Sequence, residues 1–278
     1  MSPFHFEILL FVVSIFAGVL GSLVGIGGGA VIVPLLTLVF HVDIRLAIGA
    51  SIVSVIATSS GAAVAYVREK MTNIRVGMFL EIATTVGAVS GAIITSYVPD
   101  RLLFILFGLI LAYSGFSMYK KHKEPEPLKT STDKLANRLR LDGEYIDKST
   151  GETVTYAVSG TKMGLFLMYI AGLVSALLGI GSGALKVPAM DLAMKIPLKA
   201  SSATSNFMIG VTAAASAGVY FSRGDINPLM TGPVAIGILI GAVAGSRMLS
   251  KLNSRYLRII FVVVISIIAL EMLQRGFS

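Results

Sequence analysis

The chain matches itself. Set against its own sequence at an offset of 154 residues, Gly18 falls on Gly172, Gly25 on Gly179, Gly27 on Gly181, Gly29 on Gly183 and Pro34 on Pro188 without a gap. The match continues through Ser51 with Ser205, Thr58 with Thr212, Tyr66 with Tyr220 and Asn73 with Asn227, and reaches Gly87 with Gly241, Gly91 with Gly245 and Arg101 with Arg255. A repeat therefore covers residues 10–118 and again 164–272. Whatever the fold is, it is one unit used twice.

Each repeat contains five apolar segments, at 6–24, 29–40, 46–67, 76–98 and 102–119, then at 163–179, 184–194, 200–222, 228–250 and 256–273. Of the 278 residues, 55% are hydrophobic and 14% charged, against about 25% charged in a soluble domain. Mean hydropathy is +0.83. Runs of that length and composition are membrane-spanning helices. The expected fold is all-α, a polytopic membrane protein of two inverted repeats. The first run has no basic start and no small-residue cleavage site, so it reads as a retained helix. With no cysteine there is no disulfide and no thiolate chemistry. The net charge of +8 reflects basic cytoplasmic loops and implies no nucleic acid partner.

The second segment of each repeat is short, roughly 18 Å as a helix against a hydrocarbon core near 30 Å. These two pieces are expected as half-helices or as re-entrant hairpins with the segment before. If five segments cross or return in each repeat, the loops at 68–75, 120–162, 195–199 and 247–258 share one side and hold 18 of the 23 Lys and Arg residues. Positive loops face the cytoplasm. The repeats then lie inverted, with both termini outside and the 120–162 loop inside the cytoplasmic membrane. The chain divides into a first transmembrane repeat at 1–119, a hydrophilic linker at 120–162 and a second repeat at 163–278. The linker's Pro- and Lys-rich start reads as a solvated connector, with a short basic helix at 133–141 and a hairpin in EYIDKSTGETVTY.

The short segments each follow a glycine-rich break, GIGGG at 25–29 and GIGSG at 179–183, and each is closed by a proline. GIGGGA also fits a phosphate-cradling fingerprint, but that needs a strand before it and a βαβ unit around it, and a membrane helix precedes it here. Backbone groups freed by glycines in a membrane cost several kcal/mol each unless protein or a water-filled cavity covers them. In secondary transporters, paired breaks at matching positions of inverted repeats mark the substrate site, and the helix starting after each break points its positive end there. Gly27, Gly28, Gly29, Gly181, Ser182 and Gly183 are therefore candidate substrate-binding residues, and a small anion is the favoured ligand. For GAVSG (87–91) and GAVAG (241–245), close helix packing is the better reading.

Intramembrane charge is scarce. Lys186 lies three residues past the second break, where the first repeat has Ile32. It either completes the anion site or gates it, or it snorkels or pairs with Asp191. Glu81 can carry a coupling proton, although an interfacial place is expected for it. A polar cluster opens the third segment of each repeat, and Ser51, Thr204, Ser205 and Asn206 are the candidates to bind anion oxygens there. Each hydroxyl can equally bond its own helix. The histidines at 5, 41 and 122 form no metal spacing, and neither a metal nor a cofactor is expected.

The doubled GIGGG/GIGSG breaks with their prolines, the S-x-A-T-S-N stretch and the basic central loop resemble the sulfite exporter TauE/SafE family, also called the 4-toluene sulfonate uptake permease family. The resemblance covers both repeats. It carries over to Gly25, Gly27, Gly28, Gly29 and Pro34, then to Gly179, Gly181, Ser182, Gly183 and Pro188. It implies transport of sulfite, thiosulfate or an organosulfonate, in a direction it does not fix. The expected function is a secondary transporter working by alternating access, its substrate between the two breaks, with a coupling ion such as a proton. An anion channel would share the electropositive breaks, and a cation exchanger would need paired acids there. An intramembrane enzyme would need a nucleophile with its base or paired metal ligands, and neither is evident.

Overall fold

Every apolar segment of the sequence becomes a helix close to its expected bounds. The computed structural model describes residues 3–24, 28–120, 130–147, 150–181, 183–249 and 254–277. In the first repeat these are α1 (Pro3–Val24), α2 (Gly29–Pro34), α3 (Ile44–Arg68), α4 (Ile74–Thr95) and α5 (Asp100–Lys120). Then come a short helix α6 (Lys134–Leu139) and the strands β1 (Gly143–Asp147) and β2 (Glu152–Tyr156). The second repeat gives α7 (Thr161–Leu178), α8 (Gly183–Pro188), α9 (Leu198–Ser222), α10 (Pro228–Leu249) and α11 (Ser254–Phe277). Among the described residues α3, α4, α7 and α10 are long and apolar enough to cross a membrane. The fold is all-α and polytopic.

Helices of one repeat pack mainly on helices of the other. α1 lies on α10 as α7 lies on α4; α3 meets α10 as α9 meets α4; α5 meets α11, and α3 meets α9. Exchanging the two sets of five leaves that pattern unchanged. Glycines set the distance. A methyl group at Gly91 would lie 2.0 Å from the Leu173 carbonyl oxygen, and one at Gly241 would lie 2.0 Å from that of Ile15. The small-residue motifs on α4 and α10 are thus the seams against α7 and α1, as the packing reading expects.

The short segments behave alike. Pro34 and Pro188 offer no N–H to the helix, and each helix widens beyond them into a π-helical turn, at Leu35–Val39 and Ala189–Ala193. Phe40 N–H then reaches back to Leu35 at 3.3 Å, and Met194 N–H to Ala189 at 3.3 Å. Both pieces end on a residue in the left-handed region, His41 (φ 53°) and Lys195 (φ 62°).

The linker is no loose connector. The hairpin forms, with Gly143 opposite Tyr156 and Asp147 opposite Glu152, and it docks onto the helices. Tyr145 and Tyr156 are buried with their rings 6.5 Å apart. Asn73 caps α4 by accepting from Val76 N–H at 3.1 Å. Its amide also donates to the Leu141 carbonyl at 2.8 Å and to the Tyr156 hydroxyl at 3.2 Å, while its own N–H reaches Thr204 Oγ1 at 3.0 Å. Asp133 caps α6 and also accepts from both the N–H and the hydroxyl of Thr161, each at 2.8 Å, at the start of α7. Those donors, the Thr161 N–H above all, hold its carboxyl below the usual range. Residues 121–129, where the expected solvated start lies, are outside the described residues.

Candidate functional site

The geometry begins at the glycines. Gly28 (φ 71°) and Gly179 (φ 69°) occupy the left-handed region that other residues avoid, so the chain can turn there between one helix and the next. The turn at Gly28 starts α2, with the N–H groups of Val31 and Ile32 both 3.0 Å from its carbonyl oxygen. Gly179 ends α7. The two breaks stand side by side: a methyl on Gly29 would lie 2.5 Å from the Gly179 carbonyl oxygen and 2.6 Å from Ser51 Oγ. Ser51 Oγ in turn donates to that carbonyl at 2.5 Å. A hydroxyl of the first repeat thus satisfies a carbonyl freed by the break of the second. Gly181 (φ 77°) and Gly183 lie on the same turn, with Gly183 N–H bonded to the Gly181 carbonyl at 2.8 Å. Gly25, Gly27 and Ser182 lie outside the described residues.

A further carbonyl on each side is held by a tyrosine. Tyr66 donates to the Ser22 carbonyl at 2.8 Å, and Tyr220 donates to the Ala176 carbonyl, its counterpart at the end of α7. Tyr66 and Tyr220 align in the repeat, but the sequence alone assigns neither a role. A polar residue repeated inside two apolar helices was the available signal.

Lys186 is fully buried. It does not snorkel; its ammonium donates to Thr212 Oγ1 at 2.6 Å and lies 3.6 Å from Glu81 Oε2. The Thr212 hydroxyl donates to Glu81 Oε1 at 2.6 Å, and Thr85 Oγ1 is 3.3 Å from the same oxygen. Glu81, expected at an interface, therefore stands in a largely buried triad, with its side chain 13% exposed. Thr212 is roughly 21 Å along α9, itself about 37 Å long at 1.5 Å per residue, so the triad sits near mid-helix. The charges come from both repeats, Glu81 from α4 and Lys186 from α8. The aligned positions Ile32, Thr58 and Ala235 keep the hydroxyl and lack both charges.

The remaining candidates lie close by on α9. Thr204, Ser205 and Asn206 are fully buried. Thr204 holds Asn73, and so the hairpin. The Asn206 amide donates to the Ser22 carbonyl at 3.1 Å and to the Ser202 carbonyl at 3.0 Å, leaving Oδ1 buried without a partner. Its main-chain carbonyl takes the Ser59 hydroxyl at 2.5 Å. In this conformation Ser51 serves the Gly179 carbonyl at the second break, the Asn206 amide nitrogen serves Ser22 just before the first, and Thr204 serves Asn73. A cavity of about 520 Å³ beside α8 is lined by apolar residues such as Leu185, Pro188 and Leu192, and does not include Lys186.

Among the described residues no group of three His, Asp or Glu side chains is placed to hold a metal. The sequence model described as "Sulfite exporter TauE/SafE" matches residues 10–272, nearly the whole chain. The chain is also 27% identical, over 97% of its length and 98% of the relative's, to "Probable membrane transporter protein YunE" of Bacillus subtilis (strain 168). It is 26% identical, over 95% and 94%, to "Probable membrane transporter protein MJ0441" of Methanocaldococcus jannaschii. No solved structure matches. The chain belongs to the sulfite exporter TauE/SafE family, a family of membrane transporters.

Proposed function

We propose that this member of the TauE/SafE family is a secondary transporter that carries a small sulfur-containing anion, namely sulfite, thiosulfate or an organosulfonate, across the cytoplasmic membrane. The observation that carries the reading is the Lys186 ammonium, fully buried near mid-helix beside a glycine break. A cation there is costly unless it meets an anion, and an intramembrane charge marks a substrate or ion path. The adjoining break adds backbone dipoles of the same sign. The reading places the substrate between α2, α8 and the α9 cluster, and moves it by alternating access of the two repeats. The packing of each repeat on the other, and the contact of Gly29 with Gly179, support a rocking of one against the other about the breaks. In this account the repeats are inverted, the termini face outside, and the hairpin lies in the cytoplasm.

The test is calorimetry of the purified chain with sulfite, thiosulfate, sulfoacetate and chloride, with Lys186→Ala alongside. Saturable binding of one sulfur anion, weakened at least tenfold in the variant, is the expected result. Ion flux without saturation would favour a channel, and a response to sodium or calcium alone would overturn the anion site. Reporters after Met1 and in the 120–162 loop check the topology: the first should appear outside and the second inside.

A further inference from the structure

Resting on that reading, we infer that Glu81 is the internal counter-anion of Lys186 and carries the coupling proton, so that the substrate anion and one proton move together.

The argument starts from the division of labour within one carboxylate. Oε1 accepts from Thr212, while Oε2 lies 3.6 Å from the Lys186 ammonium and has no hydrogen-bond partner. An anion that takes the ammonium displaces Oε2. Two negative groups then share one buried cation, and an unpaired buried carboxylate costs several kcal/mol. The group responds by neutralising itself. One proton from water binds Oε2, which then bears an O–H, and Oε1 keeps the Thr212 bond. When the anion leaves, Oε2 gives the proton up and re-forms the pair.

The other ionisable groups on the described elements around Glu81 are few. From α8 and its π-turn come Lys186 and, five residues on, the buried Asp191. From α9 the titratable groups are Lys199 and Tyr220, one bonded to Asp147 and the other to Ala176. α7 carries Lys162 in its first turn and Tyr169, and α4 itself carries Arg75 at its start. The pair also spans the parts that must move, since α4 belongs to one repeat and α8 to the other. The other half-site, with Ile32 and Ala235 at the aligned positions, has no such pair.

The test is titration calorimetry of the full chain with the same four anions, in imidazole, Bis-Tris and Tris. These buffers are cationic; sulfonate buffers would compete as ligands. The dependence of the heat on buffer gives protons taken up per anion bound. About one is expected for the native chain and about none for Glu81→Gln, with anion binding kept in both and uptake restored in Glu81→Asp. Sulfite exchanges a proton of its own, and the difference between native and Gln chains removes that contribution. Native affinity should fall roughly tenfold per pH unit wherever one proton is taken up per anion, and Glu81→Gln should flatten the slope. Equal uptake in both chains, or none in the native one, overturns the coupling and leaves the anion site standing. No binding by any of the four anions overturns the site, and the coupling with it.

Discussion

Lys199 at the start of α9 and Asp147 on β1 form a 2.7 Å salt bridge whose ammonium is fully buried. In the first repeat the aligned cation, Arg45, pairs instead with Asp100 at 3.0 Å, with both side chains partly exposed. The hairpin has thus taken over a charge at a helix end and moved it out of water. A buried pair adds little by itself, but breaking one side leaves a charge with no solvent.

Asp147→Ala should therefore destabilise the protein by about 3–5 kcal/mol. Combining Lys199→Met with Asp147→Leu should recover most of that. Thermal unfolding in detergent, with trypsin cleavage of the hairpin as a local readout, checks both.

The hairpin should also release in alkali. Burial raises the Tyr156 hydroxyl from 10.0 to about 12, against a smaller opposing effect of the Asn73 hydrogen bond. A folded-state value above the unfolded one means that its contribution is complete below pH 10 and is lost as pH rises through about 12. Protease sensitivity of residues 143–156 should increase over that window, and Tyr156→Phe should flatten the increase.

Tyr66→Phe should leave the Ser22 carbonyl short of a donor, and Tyr220→Phe should do the same to Ala176. Each is expected to cost about 1–3 kcal/mol in thermal stability. The loss at Ser22 should be the smaller, because the Asn206 amide also reaches that oxygen.

Gly91→Ala should cost about 1–3 kcal/mol, because its methyl would meet the Leu173 carbonyl and force α4 away from α7. Gly218→Ala on α9, where nothing lies within 4 Å, should be neutral or gain up to about 1 kcal/mol. Thermal unfolding of the two side by side separates close approach from general loss of glycine.

How much of this the residues disclose beforehand depends on the range of the interaction. Segment lengths, the two breaks and the small-residue seams are local, and periodicity with composition shows them. The shortness of α2 follows from Pro34 and Gly28 alone. That Lys186 meets Glu81 does not, since they lie on different repeats and only the α4–α9 packing brings them together. The docking of the linker was hidden for a similar reason. Tyr156 and Asp147 look like ordinary hairpin residues until Asn73 and Lys199 face them. The partners of Thr204 and Asn206, the Asn73 N–H and the Ser22 carbonyl, lie far away in sequence and so are hidden as well.

The uneven half-sites bear on why two copies are joined in one polypeptide. In a dimer of identical half-length chains, any charge beside a break would occur twice, and the pocket would gain two lysines and two glutamates or none. Covalent fusion lets one copy keep Ile32 while the other carries Lys186, and lets the Ala235 position diverge from Glu81. A single ammonium and a single carboxylate in the triad are a composition that two identical half-length chains cannot have.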